Sequence, residues 1–296
     1  MQVNEIKTKI TNEIIESLKT NKSLWSKTWK PCTPQNYESK KPYTGINNLI
    51  LNLKTMNYGY ESPYWLTFKQ VDKMEHSVLK GQKSTMIVFY SLIDSKNNKD
   101  NEDGKNKKIP ILKYYNIFNL DQTTLKNKVN INETIDPALK NKDIEQAINI
   151  FNCPIIHAAQ GRACYSPSED KIYLPTKGQF NSLHGYYATA LHEMAHATGH
   201  ESRLNRKLIN SFGSSEYAKE ELMAEIASMM TLGYYSIDNK EIKNNNIAYI
   251  NSWLKILQDD SNFIFTASKQ AGEILEYITK DNNKTTESKE LELIAA

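Results

Sequence analysis

Two histidines four residues apart, with a glutamate beside the first, stand at His192-Glu193-Met194-Ala195-His196. On a helix, positions i and i+4 share one face, so both imidazoles can reach a single cation. Glu193 then projects beside the pair, where a carboxylate can take a proton from water held by that cation. This is the physical content of the HExxH motif. Zinc binds neutral imidazole nitrogens at about 2.0–2.1 Å, and a catalytic site keeps three protein ligands and one position for water. The ion lowers the pKa of that water to about 7, and a general base completes its attack on a carbonyl. The pattern predicts one Zn2+ per chain, His192 and His196 as ligands, and Glu193 as the catalytic base. Leu191, Met194, Ala195 and Ala197 make the flanks apolar and helix-forming, so the pair sits on a helix packed in a core. Gly199 is placed to end that helix as a C-cap.

The third ligand sets the subclass. HExxHxxG also opens the metzincin pattern, which requires a histidine where this chain has Ser202. His200 falls one residue past the helix-ending glycine and reads as a surface residue or one that supports a ligand from behind. Glu221 is the preferred ligand, in Glu220-Glu221-Leu222-Met223-Ala224-Glu225 on the following helix. Glu221 and Glu225 share a face at i, i+4. One can bind the metal while the other hydrogen-bonds a ligating imidazole. Glu225 is assigned the supporting role. Glu220 points roughly 100° away from Glu221 and is the weakest of the three. Two histidines and one glutamate predict a gluzincin-like zinc metallopeptidase.

These side chains need helices to hold them. Helices are expected at about 142–152, 184–198, 215–234, 241–257 and 262–280. A small hairpin is expected from 163–165 and 171–174 around a turn at Pro167 to Asp170. Upstream, Ile6, Ile10, Ile14, Ile15 and Leu18 mark an amphipathic helix over 3–20. A short helix follows over 46–56, another is capped by Thr67, and strands are expected at 85–90 and 111–118. Residues 94–108 are almost wholly polar and read as a disordered hairpin insertion. Residues 119–135 read as a link between two domains, 1–130 and 131–296. The expected class is α+β: a basic α+β domain, then a mostly helical zincin-like domain with a small sheet.

Composition supports a globular chain, with 39% hydrophobic and 24% charged residues. No apolar run is long enough for a membrane span, and the start lacks the pattern of a signal peptide, so the expected location is cytoplasmic with no membrane partner. Three scattered cysteines suggest free thiols, not a disulfide framework. The net charge of +3 conceals an imbalance. Residues 1–130 hold 21 lysines against 12 acidic groups, giving +9; residues 131–296 hold 16 basic against 22 acidic groups, giving −6. The basic half is the candidate for a polyanion. It contains no arginine, so bidentate reading of guanine is closed to it. Lysine offers point contacts to phosphate, which are salt-sensitive and indifferent to sequence. Aromatic rings interleave with the lysines over 25–68, a composition suited to single strands whose bases can stack. The DNA-contact candidates are Trp25, Trp29, Lys40, Lys41, Tyr43, Tyr64, Trp65 and Lys69, binding single-stranded DNA without sequence preference.

Taken together, these segments resemble the ArdC-type antirestriction proteins of mobile elements over nearly the whole length. In the first half the resemblance rests on Leu24-Trp25 with Trp29, PYTGINNLIL (42–51), SPYWLTFKQ (62–70), Lys80-Gly81-Gln82-Lys83 and YYNIFNLDQ (114–122). In the second it rests on YSPSEDKIYLP (165–175), LHEMAHATGHESRL (191–204), YAKEELMAEI (217–226) and YINSWLKIL (249–257). The resemblance implies an N-terminal single-stranded-DNA-binding domain and a C-terminal zincin-like metallopeptidase domain. It implies protection of incoming plasmid or phage DNA from restriction. It maps the metal motif to His192, Glu193 and His196, and the downstream glutamates to Glu221 with Glu225. The lysine-only first half and the charged insertion depart from the family. Three roles fit: a DNA-tethered peptidase with an unidentified protein substrate, a single-strand coat whose zinc is structural, and a regulatory peptidase that cleaves a repressor. An acidic decoy of DNA does not fit a half at +9.

Overall fold

The computed structural model describes residues 2–20, 33–94, 108–128, 137–206, 208, 213–237 and 247–294. The first helix, α1 (Val3–Thr20), buries Ile6, Ile10, Ile14 and Leu18, which recur at i+4 along one face. Helix α2 (Gly45–Tyr58) ends at Gly59, whose φ of 67° is the left-handed cap that glycine adopts without strain. A four-stranded sheet has the order β1 (Gln35–Asn36), β2 (Tyr64–Thr67), β4 (Lys108–Asn119), β3 (Thr85–Asp94). β3 and β4 form a long antiparallel pair, in register from Thr85 opposite Ile117 to Asp94 opposite Lys108. Thr67 and Gln70 form a reciprocal capping box at the start of α3 (Phe68–Lys73).

The second sheet has the order β5 (Ile155–Ala158), β7 (Lys171–Pro175), β6 (Cys164–Ser166). β5 runs parallel to β7 and β6 antiparallel to it. Around it lie α4 (Pro137–Ile150), α5 (Leu183–Ala197), α6 (Ser215–Tyr234), α7 (Ile247–Asp259) and α8 (Phe263–Ile294). The protein is α+β. Among the described residues no helix is long and apolar enough to cross a membrane.

One apolar cluster runs from Ile6, Leu49 and Val88 in the first half to Leu191, Ile226 and Ile274 in the second. α2 packs on α8, and α8 packs on α6. The Asn47 side chain ties α2 to β3: its amide donates to the Val88 carbonyl at 2.7 Å and its oxygen accepts from the Val88 N–H at 2.9 Å. Two smaller clusters lie against the first sheet. In one, Leu120 and Leu125 pack with Leu66 and Val71. Residues 119–128, the first part of the expected link, are packed against this cluster. They form two 3₁₀ turns, Leu120–Gln122 and Thr124–Lys128, held by Leu120 and Leu125. The division near residue 130, most of the charged insertion (95–107), Trp25 and Trp29 lie outside the described residues.

Candidate metal centre

Helix α5 starts at Ser182, whose side chain accepts from the Gly185 N–H, and buries Tyr186, Tyr187, Ala190, Leu191, Met194 and Ala197. Helix α6 starts likewise at Ser214, which accepts from the Tyr217 N–H. The Ser228 hydroxyl donates to the Ala188 carbonyl at 3.2 Å and ties the two helices along their length. They run antiparallel, so His192 meets Glu225 while His196 meets Glu220, with Glu221 between.

Donor atoms of three residues converge. His192 Nε2 and His196 Nε2 lie 3.1 Å apart. Glu221 lies 3.5 Å from the first through Oε2 and 3.6 Å from the second through Oε1. A tetrahedral shell with bonds of about 2.0–2.1 Å separates its ligand atoms by about 3.3 Å. The triangle therefore fits one small divalent cation. The outer nitrogens point the same way. His192 Nδ1 lies 3.3 Å from Glu225 Oε2, and His196 Nδ1 lies 3.2 Å from Glu220 Oε1. A proton on each Nδ1, donated to its carboxylate, leaves both Nε2 lone pairs aimed into the triangle.

The electrostatics agree. Burial works to raise the Glu221 carboxyl, but the His192 hydrogen bond, both imidazoles and the Tyr217 hydroxyl outweigh it and hold it down to about 2. Burial works to lower His192; hydrogen bonds to Glu221 and Glu225 and the charge of Glu193 overcome it and hold the imidazole well above its ordinary value. Acidic groups outnumber basic ones around these imidazoles, an imbalance that a dication offsets. Glu193 is buried on α5 and is not one of the converging donors. It faces toward β6, where its charge adds to burial in raising the Cys164 thiol. A carboxylate beside a metal triangle and outside it can accept a proton.

Glu220 is not one of the converging donors, but it meets His196 from behind. The 100° offset does direct it away from Glu221, but the neighbouring helix puts His196 in that direction. Its carboxylate also accepts from Arg206 at 2.8 Å. Arg206 and Arg203 were missed in the sequence; only their place just after the motif could have pointed to them. The buried Arg203 guanidinium donates to the Ala197 carbonyl, to the Asn152 carbonyl and to the Asp170 carboxylate, pinning the end of α5 to the β6–β7 turn. His200 lies in the turn that follows α5. Its Nδ1 lies 2.9 Å from Ser202 Oγ and it is not one of the converging donors.

The expected DNA contacts divide. Trp65 is fully buried and Tyr43 nearly so, in a cluster with Leu51, Ile87 and Ile117, so neither ring can stack on a base. Lys41 and Lys69 are exposed. Lys40 Nζ lies 4.2 Å from the Tyr37 ring and 4.1 Å from the partly buried Tyr64 ring. Among the described residues of the first half, the exposed rings are others: Tyr58, Phe68, Phe89, Tyr90, Tyr114 and Tyr115. The signal available was the pair of adjacent aromatics on each strand of the hairpin, which puts one ring on each face.

An HExxH helix, a glutamate-bearing second helix and a small mixed sheet define a zincin-like metallopeptidase domain, and residues 142–270 match the family profile of that description. Residues 4–118 match the profile of the N-terminal domain of the anti-restriction factor ArdC. The chain belongs to the ArdC antirestriction family. It is 32% identical to the antirestriction ArdC protein of plasmid R388 in its metal-free crystal structure, with a TM-score of 0.74 over 94% of this chain and 98% of that one. Against the Mn(II)-bound structure of ArdC from R388 the identity is 30% and the TM-score 0.70, over 95% and 98%. It is also 35% identical over 294 residues to a DNA primase TraC of Escherichia coli, covering 91% of this chain. The chain spans only 26% of that protein's length.

Proposed function

We propose that this chain is a DNA-associated zinc peptidase that protects entering plasmid or phage DNA from restriction in the cytoplasm. The observation that carries the reading is Glu193, buried beside the donor triangle and outside it. A purely structural metal site has no use for that carboxylate. His192, His196 and Glu221 would hold the ion, while Glu220 and Glu225 orient the imidazoles. Two imidazoles and one carboxylate at tetrahedral spacing suit zinc; manganese favours octahedral oxygen sites, although the R388 relative has been crystallised with Mn(II). When bound, zinc would polarise a peptide carbonyl and activate water. Glu193 would accept the proton from the attacking water and pass it to the leaving amine.

The first half would carry the chain to single-stranded DNA without sequence preference. Its lysines supply phosphate contacts. Phe68 and the Phe89–Tyr115 pair supply exposed rings, and Lys113 stands directly across the hairpin from Phe89. The proposed division of labour sets residues 1–130 to DNA and 131–296 to peptide chemistry.

The test is Glu193→Ala. Zinc content should stay near one per chain, while protection of incoming DNA in cells should be lost. Removing such a general base costs about 10²–10⁴ in rate. Full protection by this variant would overturn the peptidase reading in favour of a single-strand coat with a structural metal.

A further inference from the structure

Arg206 is nearly buried, and its guanidinium spans two helices. One terminal nitrogen donates to the Ala195 carbonyl at 2.8 Å, inside the HExxH segment itself. The same nitrogen donates to Glu220 Oε1 at 2.8 Å on α6. The other donates to the Thr198 hydroxyl at 2.7 Å, and that hydroxyl donates to the Ala195 carbonyl. The Arg206 N–H donates to the Gly199 carbonyl, which fixes the turn that brings the side chain back. Glu220 Oε1 thus meets both the guanidinium and His196 Nδ1.

We infer that Arg206 and Glu220 form a positioning pair that sets His196 as an Nε2 ligand and fixes the spacing between α5 and the Glu221 ligand on α6. The argument is geometric. The His196 ring can rotate about its side-chain bonds unless its outer nitrogen is held. Glu220 holds it, and Glu220 is itself a long side chain whose orientation needs a partner. Arg206 supplies that partner from a planar fork fastened to the backbone of the same helix as His196. On the outer nitrogen of His192 the corresponding carboxylate is Glu225, and among the described residues no arginine donates to it. Glu221 follows Glu220 directly on α6, so whatever fixes Glu220 against α5 also fixes where Glu221 stands.

The inference rests on the metal reading of this site, and the experiment separates the two. Zinc affinity is measured by competition with a chromophoric chelator on the full chain, beside thermal unfolding of the metal-free protein. Glu220→Ala and Arg206→Ala should each bind zinc about 10–100-fold more weakly than wild type. Glu220→Gln, which keeps an acceptor oxygen for Nδ1–H, should recover most of that loss. Cobalt(II) absorption should report a disturbed ligand field in Glu220→Ala and a near-wild-type field in Glu220→Gln. A purely structural pair would lower the metal-free unfolding temperature and leave the affinity of folded protein unchanged. Zinc affinity within threefold of wild type in Glu220→Ala, with an unchanged cobalt spectrum, would overturn the inference alone. If the alanine variants do not fold, Glu220→Gln binding with a wild-type cobalt spectrum supports it, and a loss equal to that of Glu221→Ala overturns it. Wild-type protein that binds no zinc would overturn the metal reading and the inference with it.

Discussion

At His192 a proton and a metal ion compete for one nitrogen. Without metal, the carboxylates of Glu221 and Glu225 hold its imidazole protonated well above the ordinary histidine range, against the opposing effect of burial. A raised histidine pKa means that zinc must displace a proton from the imidazole before Nε2 can bind. Apparent zinc affinity should keep rising with pH above 6.5, where an ordinary histidine would already be mostly neutral. Calorimetry at pH 7 in buffers of different ionisation enthalpy should show net proton release on zinc binding. Release of no proton at pH 7 would show that His192 is neutral there. The paired histidines were legible because both lie on one helix, where spacing alone settles which face they share. The contact of Glu220 with His196 was not legible, for the complementary reason. The angle between Glu220 and Glu221 is a property of α6, but what lies at the end of that angle is a property of how α6 packs on α5. Long helices with strong apolar periodicity can be read from local sequence; the rotation of one against another cannot.

The helix that carries the motif ends without the left-handed glycine that the sequence suggested. Its cap is Thr198, in right-handed conformation with φ −58°, and Gly199 leaves room for Leu208. A Cβ added at Gly199 would stand 2.5 Å from Leu208 Cδ2 and 2.8 Å from its Cγ. Gly199→Ala should therefore destabilise the protein by about 1 kcal/mol or more through overpacking. Leu208→Ala in the same chain should relieve most of that strain, so the pair should be strongly non-additive in denaturant unfolding. Additive losses would mean that the turn, not Leu208, is what rejects the methyl group. The short strands show the same limit on sequence reading. β1 has two residues and β5 has four, and each exists through a parallel partner distant in the chain, β2 or β7. No alternation over so few residues announces a strand. The β3–β4 pair was anticipated because its apolar and β-branched runs are long enough to show the period.

Across the whole molecule, a +9 half and a −6 half share one apolar core through α2, α8 and α6. The charge asymmetry was legible in the sequence because it is a sum. Which rings serve the core was not legible, since Trp65 and Phe89 sit in similar local composition and differ only in burial. That difference yields a direct test. The full chain should bind a fluorescent single-stranded oligonucleotide with affinity that falls steeply as salt rises, because lysine–phosphate contacts release counterions. Duplex should bind less well, since stacked bases cannot meet exposed rings. Phe89→Ala and Tyr115→Ala remove an exposed edge-to-face pair with centroids 5.4 Å apart. Each should weaken single-strand binding by about 1–3 kcal/mol, roughly 5- to 150-fold, with little change in unfolding temperature. Trp65→Ala should do the reverse. Emptying a fully buried indole costs about 3–5 kcal/mol of stability, and any loss of DNA binding should follow the loss of fold. Equal single-strand affinity in wild type and in a Phe89→Ala, Tyr115→Ala double variant would remove the hairpin from the DNA surface. It would leave Phe68 and the Lys40–Tyr37–Tyr64 cluster as the contacts to examine.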